Sequence, residues 1–222
     1  VNTETHPDGA GHPATDPGVR LPPDILSRLD LEALFPGLDG VEVELGSGDG
    51  SFLAEHAAQN PGRGFLGVER LLGRLRKLER KAQRRGLCNL RVLRLEAAYV
   101  LRWKLASATV SALHVYFPDP WPKRRHWKRR LVNGPFVEET ARILRPGGRV
   151  FLRTDNEPYF EQMREVFGRS DRFVEVEFPA GLAGVVTDFE REFNARGIPT
   201  RRVAYELSGG AGLANRTGGE PS

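Results

Sequence analysis

Val41-Glu42-Val43-Glu44-Leu45-Gly46-Ser47-Gly48-Asp49-Gly50 decides the fold. Val41–Leu45 reads as a strand, the glycines at 46, 48 and 50 as a loop, and 51–59 as a helix. Glycine in a strand-to-helix turn lets the backbone bend sharply and approach a ligand closely. The same unit then repeats. Strands are expected at 65–68, 89–95, 110–117, 149–154, 173–178 and 200–207, and helices at 71–85, 97–105, 136–144, 157–167 and 187–195. In the helix over 71–85, Leu71, Leu75, Leu78 and Ala82 share one face. Pro146-Gly147-Gly148 marks a turn. A short helix before Pro36-Gly37 packs against the body.

Repeated βα units of this length imply a doubly wound α/β fold, a mostly parallel seven-stranded sheet of Rossmann-like type. Ligands of such sheets collect at the carboxyl ends of the strands. Three acidic or glycine-rich features end there: the loop after 41–45, Glu69 and Asp119.

The glycine spacing is G-x-G-x-G, because position 51 is serine. It departs from the G-x-G-x-x-G fingerprint that holds a dinucleotide pyrophosphate, which disfavours a nicotinamide oxidoreductase. A ligand without phosphates, such as S-adenosylmethionine, fits better, although a glycine turn alone also occurs without any ligand. Glu69 follows Gly50 by nineteen residues at the end of a hydrophobic strand, where a carboxylate can accept from both ribose hydroxyls. Its structural alternative is an ion pair with Arg70 or Arg74. Glu96 ends the next strand, where it is either an adenine contact or a surface acid.

Phe117-Pro118-Asp119-Pro120-Trp121-Pro122 places a carboxylate among three prolines. Each proline fixes its own φ and pushes its predecessor toward an extended shape, so a stiff bend presenting Asp119 is expected. In the following residues 123–130, six of eight are Lys or Arg and none is acidic. A polyanion uses that much charge and a small ligand does not. Helix 71–85 with its flanks adds eight cations around a single acid, Glu79. An aspartate at this bend suits methylation of guanine N7, whose lone pair needs no base but whose product ring is cationic. Trp121 and Trp127 are candidates to stack on bases.

Asp155 and Thr187 sit where acids and hydroxyls can meet a purine's donor edge, and both are also good helix N-caps. His114, inside a strand, reads as core. The chain of 222 residues carries a net charge of +4 and one cysteine, Cys88, which excludes an internal disulfide and a cysteine metal cage. The five histidines show no spacing for a metal, so none is expected. Residues 1–20 and 208–222 are glycine-, proline- and polar-rich and read as disordered tails around one domain at 21–207. No apolar leader and no membrane-length run appears, so the expectation is a soluble cytoplasmic protein, monomer or homodimer.

Glu44-Leu-Gly-Ser-Gly48, Phe65-Leu-Gly-Val-Glu69, residues 117–130, Thr154-Asp155 and Thr187-Asp-Phe-Glu190 occur in an order that resembles bacterial tRNA (guanine-N7)-methyltransferases of the TrmB type. The resemblance covers about residues 30–207. It implies a class I S-adenosylmethionine-dependent methyltransferase fold and methyl transfer to N7 of the variable-loop guanosine of tRNA. It further implies that Glu44, Gly46, Gly48, Glu69, Glu96 and Asp119 contact the methyl donor, with Asp119 also catalytic. Lys123, Asp155, Thr187, Asp188, Phe189 and Glu190 would hold the guanine nucleotide. Arg125, His126, Trp127, Lys128, Arg129 and Arg130 would contact RNA. The rivals are an adenine-N6 methyltransferase and a non-catalytic RNA-binding subunit. The first typically carries two consecutive prolines after the acid, and here only Pro120 follows Asp119 before Trp121.

Overall fold

Strand and helix alternate along the chain as the patterning demands. A computed structural model describes residues 19–20 and 27–208. In order the elements are β1 (Val19–Arg20), α1 (Leu31–Leu34), β2 (Val41–Leu45), α2 (Ser51–Gln59), β3 (Gly64–Val68), α3 (Leu72–Arg84), β4 (Leu90–Leu93) and α4 (Ala97–Tyr99). A π-helical turn, Val100–Lys104, extends α4. Then come β5 (Val110–Tyr116), a 3₁₀ helix over Arg124–Arg129, α5 (Gly134–Ile143), β6 (Leu144–Thr154) and α6 (Glu157–Gly168). The chain continues through β7 (Phe173–Val176), α7 (Ala180–Gly184), α8 (Asp188–Ala195) and β8 (Arg201–Leu207).

The sheet runs β1-β4-β3-β2-β5-β6-β8-β7. All neighbours are parallel except β8, which pairs antiparallel with both β6 and β7. The eighth strand is the short β1, whose two residues belong to the stretch read as tail. Apart from residues 19, 20 and 208, both expected tails lie outside the described residues. Two further differences are local. Arg145–Gly148 bulges out of β6, because the register jumps from Val110↔Leu144 to Ala112↔Arg149. The turn therefore interrupts a strand that starts earlier than expected. Helix α7 lies in the connection read as irregular; its last carbonyls, Leu182 and Val185, accept from the Arg153 guanidinium, a long-range cap invisible to local pattern.

Helices cover both faces of the sheet. On one, Val43, Leu45, Leu113, Val115, Val150 and Leu152 pack against α5 and α6. On the other, Phe52, Phe65, Leu75, Leu78 and Val92 form a second cluster beneath α2 and α3. Fully burying Leu75 and Leu78 contributes about 1.5–3 kcal/mol each. Gly50 lets α2 and α3 close together: a Cβ there would lie 2.2 Å from Leu78 Cδ1. Among the described residues no helix is long and apolar enough to cross a membrane.

Coverage of both faces leaves β2 with two buried glutamates, and they are accommodated differently. Glu42 Oε2 accepts from His114 Nε2 at 2.8 Å and His56 Nε2 at 2.9 Å, while Oε1 pairs with Arg63 at 2.7 Å. Burial alone would raise its pKa, but the hydrogen bonds from His114 and His56 outweigh it and hold the carboxyl well below the usual range. Burial lowers the pKa of His114, and Glu42 only partly opposes this. Histidine spacing along the chain gives no hint that His56 and His114 converge on one carboxylate; their ligand atoms and Glu42's lie within 4.8 Å of one another. His114 is core, as its position in a strand suggests, and also donates to or accepts from Tyr116 at 2.9 Å.

Both shifts are depressions on folding, so both supply stability that is present at high pH and lost on acidification. We expect the urea midpoint to fall as pH drops below the ordinary histidine value of 6.5 and more steeply below the ordinary glutamate value of 4.5. Glu42→Gln should flatten the lower limb. A midpoint independent of pH from 7 down to about 2.5 would show that neither group matters to stability.

Candidate active site

Strand β2 lies between β3 and β5, so the chain leaves it in one direction and later returns on its other side. At such a switch point the loops following β2 and β5 part and leave a crevice. A cavity of about 510 Å³ occupies it, walled by Gly46, Glu69, Glu96, Tyr116, Asp119, Trp121, Arg129 and the start of α3.

Gly46 and Gly48 both have positive φ, +81° and +56°, and nothing lies within 4 Å of where a Cβ would stand on either. The turn is therefore open toward a ligand. Glu69 makes neither of the ion pairs open to it by sequence. Its Oε2 accepts from Gly48 N at 3.1 Å and its Oε1 from Leu71 N at 2.7 Å. Two backbone donors fix the carboxylate, and each oxygen keeps a further lone pair. Glu96 is exposed and caps α4 through Oε2, which accepts from Tyr99 N at 2.8 Å.

Glu44 differs from expectation. It is buried beneath the glycine turn and does not line the cavity. Burial pushes its pKa up to about 8, with Arg153 opposing and Asp49 and Glu69 reinforcing the shift. At neutral pH it is mostly a protonated acid, and its Oε2 has no hydrogen-bond partner among the described residues.

The proline bend turns more sharply than its prolines imply. Phe117 and Trp121, expected to be extended, have φ of +50° and +44°. Left-handed backbone at non-glycine residues costs about 1–3 kcal/mol each and persists only where the surroundings enforce it. Phe117 N donates to Arg153 O at 2.9 Å, and Arg130 Nε donates to Pro120 O at 2.8 Å. Asp119 stands between them, exposed, with no hydrogen bond to its carboxylate among the described residues. Arg129 lies over the Trp121 ring at 5.1 Å on the same cavity wall.

Arg130, expected to face RNA as the end of the basic run, is instead turned into the protein. It is 1% exposed. Beyond Pro120, it donates to Gln162 Oε1 at 2.8 Å and Pro158 O at 3.2 Å, and it stacks on Trp127 and Tyr159. Trp127 is half-buried, with the Arg124 and Arg130 guanidinium groups 5.6 and 4.3 Å from its ring centroid. Lys123, Arg125, Lys128 and Arg129 are exposed along the 3₁₀ helix, and His126 is half-buried with its edge toward Trp121.

The late motif also divides. Thr187 is the N-cap of α8: its Oγ1 accepts from Glu190 N at 2.9 Å. Glu190 is fully buried between Arg153 and Arg202, each at 2.9 Å. Both are thus engaged in holding α8, Thr187 through its cap and Glu190 through its arginines, where a contact with the base was expected. Asp188 pairs with Lys81 and Arg191 and lines a different recess, with Ser51 and Arg85. Phe189 is 48% exposed, with Arg74 5.9 Å from its ring centroid, and Phe193 on the same helix lies 6.4 Å from Phe117. Asp155 is half-buried after β6, and Asn156, not Asp155, caps α6. Arg153 ties Phe117, α7 and Glu190 together, and no motif announces it; β6 also holds Arg145 and Arg149, so nothing in the sequence singles it out.

A family described as a putative methyltransferase matches residues 39–202. The chain belongs to that methyltransferase family. Within it, the chain is 44% identical over 135 residues to a tRNA (guanine-N(7)-)-methyltransferase of Thiobacillus denitrificans, covering 61% of this chain and 60% of that protein. A protein of the same name from Treponema pallidum is 39% identical over 165 residues, covering 74% and 64%. The chain thus spans less than two thirds of the length of these curated relatives. The methyltransferase fold itself is shared with a 16S rRNA methyltransferase, KamB, at a TM-score of 0.59 and 20% identity, covering 82% of this chain and 95% of that one.

Proposed function

We propose that this chain transfers a methyl group from S-adenosylmethionine to N7 of a guanosine in tRNA, the variable-loop guanosine by resemblance. One observation carries the reading. A cavity at the switch point joins an open glycine turn and a fixed carboxylate to an unengaged aspartate beside an exposed cationic helix. The names of the relatives support the same substrate.

The residues fit the methyl donor. The space before Gly46 and Gly48 admits a close backbone approach, and the lone pairs left on Glu69 suit two ribose hydroxyls. Glu96 keeps one carboxylate oxygen for an amino group. Glu44, protonated at the base of the turn, keeps a group that can still donate. When bound, S-adenosylmethionine supplies an electrophilic methyl group.

The acceptor nitrogen uses its own lone pair, so no proton has to leave before transfer. Asp119 accordingly acts by charge: its carboxylate stands where the purine turns cationic. Strain in the bend and the Arg130 clamp hold it there. Lys123, Asp155 and Phe189 are assigned to the guanine nucleotide, and Arg125, His126, Lys128 and Arg129 to the RNA backbone.

Incubating the protein with unmodified tRNA and labelled S-adenosylmethionine should label the tRNA, and chain scission at 7-methylguanine should map to the variable loop. Label without scission would shift the reading to N6 of adenine. No label, with tRNA still bound, would make the chain a binding subunit.

A further inference from the structure

The mouth of the cavity continues onto α3, whose first residues, Arg70 and Leu71 just before it and Arg74 within it, form part of the wall. Beyond them the helix carries a stripe of four exposed cations, Arg76, Lys77, Arg80 and Arg84. The 3.6-residue period sets this stripe opposite the buried Leu75, Leu78 and Ala82, so it faces directly outward. Arg76 to Arg84 spans about 12 Å along the axis.

The ion pairs of α3 lie on its flanks, not on the stripe: Lys81 with Asp49 at 2.9 Å and Arg85 with Glu55 at 2.7 Å. No ion pair engages the four stripe residues among the described residues. Arg76–Arg80 and Arg80–Arg84 are like-charge pairs one turn apart, which destabilise a helix. No acid stands in the first turn to complement the helix dipole. The arrangement works against the helix in isolation and favours a polyanion laid along it.

We propose that the outer face of α3 is a second backbone contact for the tRNA, receiving phosphates beyond the reacting nucleotide while the 3₁₀ helix holds those on the opposite side of the cavity. This rests on the tRNA reading above. The surface binds charge without reading bases, so it adds affinity for the body of the tRNA and does not select the target.

The test is the fourfold variant Arg76→Gln, Lys77→Gln, Arg80→Gln, Arg84→Gln, with whole tRNA binding read by anisotropy across a salt series. Affinity should fall about tenfold or more at moderate salt. The slope of log affinity against log salt should flatten by about 0.7–0.9 for each phosphate that is no longer neutralised. Affinity for S-adenosylmethionine and turnover at saturating tRNA should not change. A slope and affinity equal to the parent's overturn the proposal. The binding assay decides even if the parent transfers no methyl group, a result that would overturn the functional reading alone. Should the fourfold variant melt early, the pair Arg76→Gln, Arg80→Gln gives the same comparison at half the expected change in slope.

Discussion

Replacing Asp119 with alanine should lower methyl-transfer turnover about 100- to 1,000-fold, the usual effect of removing one preorganised electrostatic group from a reacting centre. Affinity for tRNA and for S-adenosylmethionine should stay within a few-fold. Asp119 is exposed and its carboxylate holds no other part of the bend, so the substitution removes charge and little else. The fold itself should tolerate it, since exposed positions without special contacts usually change stability by about 0.5 kcal/mol or less. Asp119→Asn separates two roles. The amide keeps the shape but not the charge, so a loss as large as alanine's identifies charge as the working element. Near-parent turnover in the asparagine variant would instead assign Asp119 to positioning. Parallel losses of turnover and binding in the alanine variant would make the bend, not the carboxylate, the thing removed.

What can be read from sequence is what depends on near neighbours. The glycine turn, Glu69 after its strand and Asp119 among its prolines all end strands, and a parallel α/β sheet brings strand ends together without further information. The residues whose roles differ from expectation are those whose partners are distant in the chain. Arg130 looks identical to Arg129 as the end of a cationic run, yet Pro120, Pro158 and Gln162 claim it and leave Arg129 at the cavity wall. Glu190 stands in the expected late motif but answers to Arg153 and Arg202. The left-handed backbone at Phe117 and Trp121 runs against the general tendency of residues before proline, because tertiary contacts at either end of the bend override it.

The deepest of these contacts also gives the largest stability effect expected. Glu190→Ala should cost about 3–5 kcal/mol, because it leaves a buried guanidinium without its counter-charge. Arg153 and Glu190 are both fully buried, with Nη1 and Oε2 2.9 Å apart. The Phe52, Tyr116 and Phe178 rings surround the guanidinium at 5.5, 4.2 and 5.3 Å, and its other hydrogen-bond partners, the Leu182 and Val185 carbonyls, carry no full charge. In a domain of this size the loss corresponds to a fall in melting temperature of roughly 6–20 °C. Glu190 also closes the capping box of α8 with Thr187, so its loss should loosen the helix that carries Phe189 beside the cavity. Turnover should therefore decline in the folded variant at low temperature, before any unfolding. Replacing both partners, Arg153→Met with Glu190→Met, should recover much of the stability, because an apolar pair leaves no charge stranded. It should not recover activity, since α7 would then lack the donor that caps it and α8 the acid that closes its first turn. A cost below about 1 kcal/mol for Glu190→Ala would mean that water reaches Arg153, and that the buried pair does not hold α8 over the site.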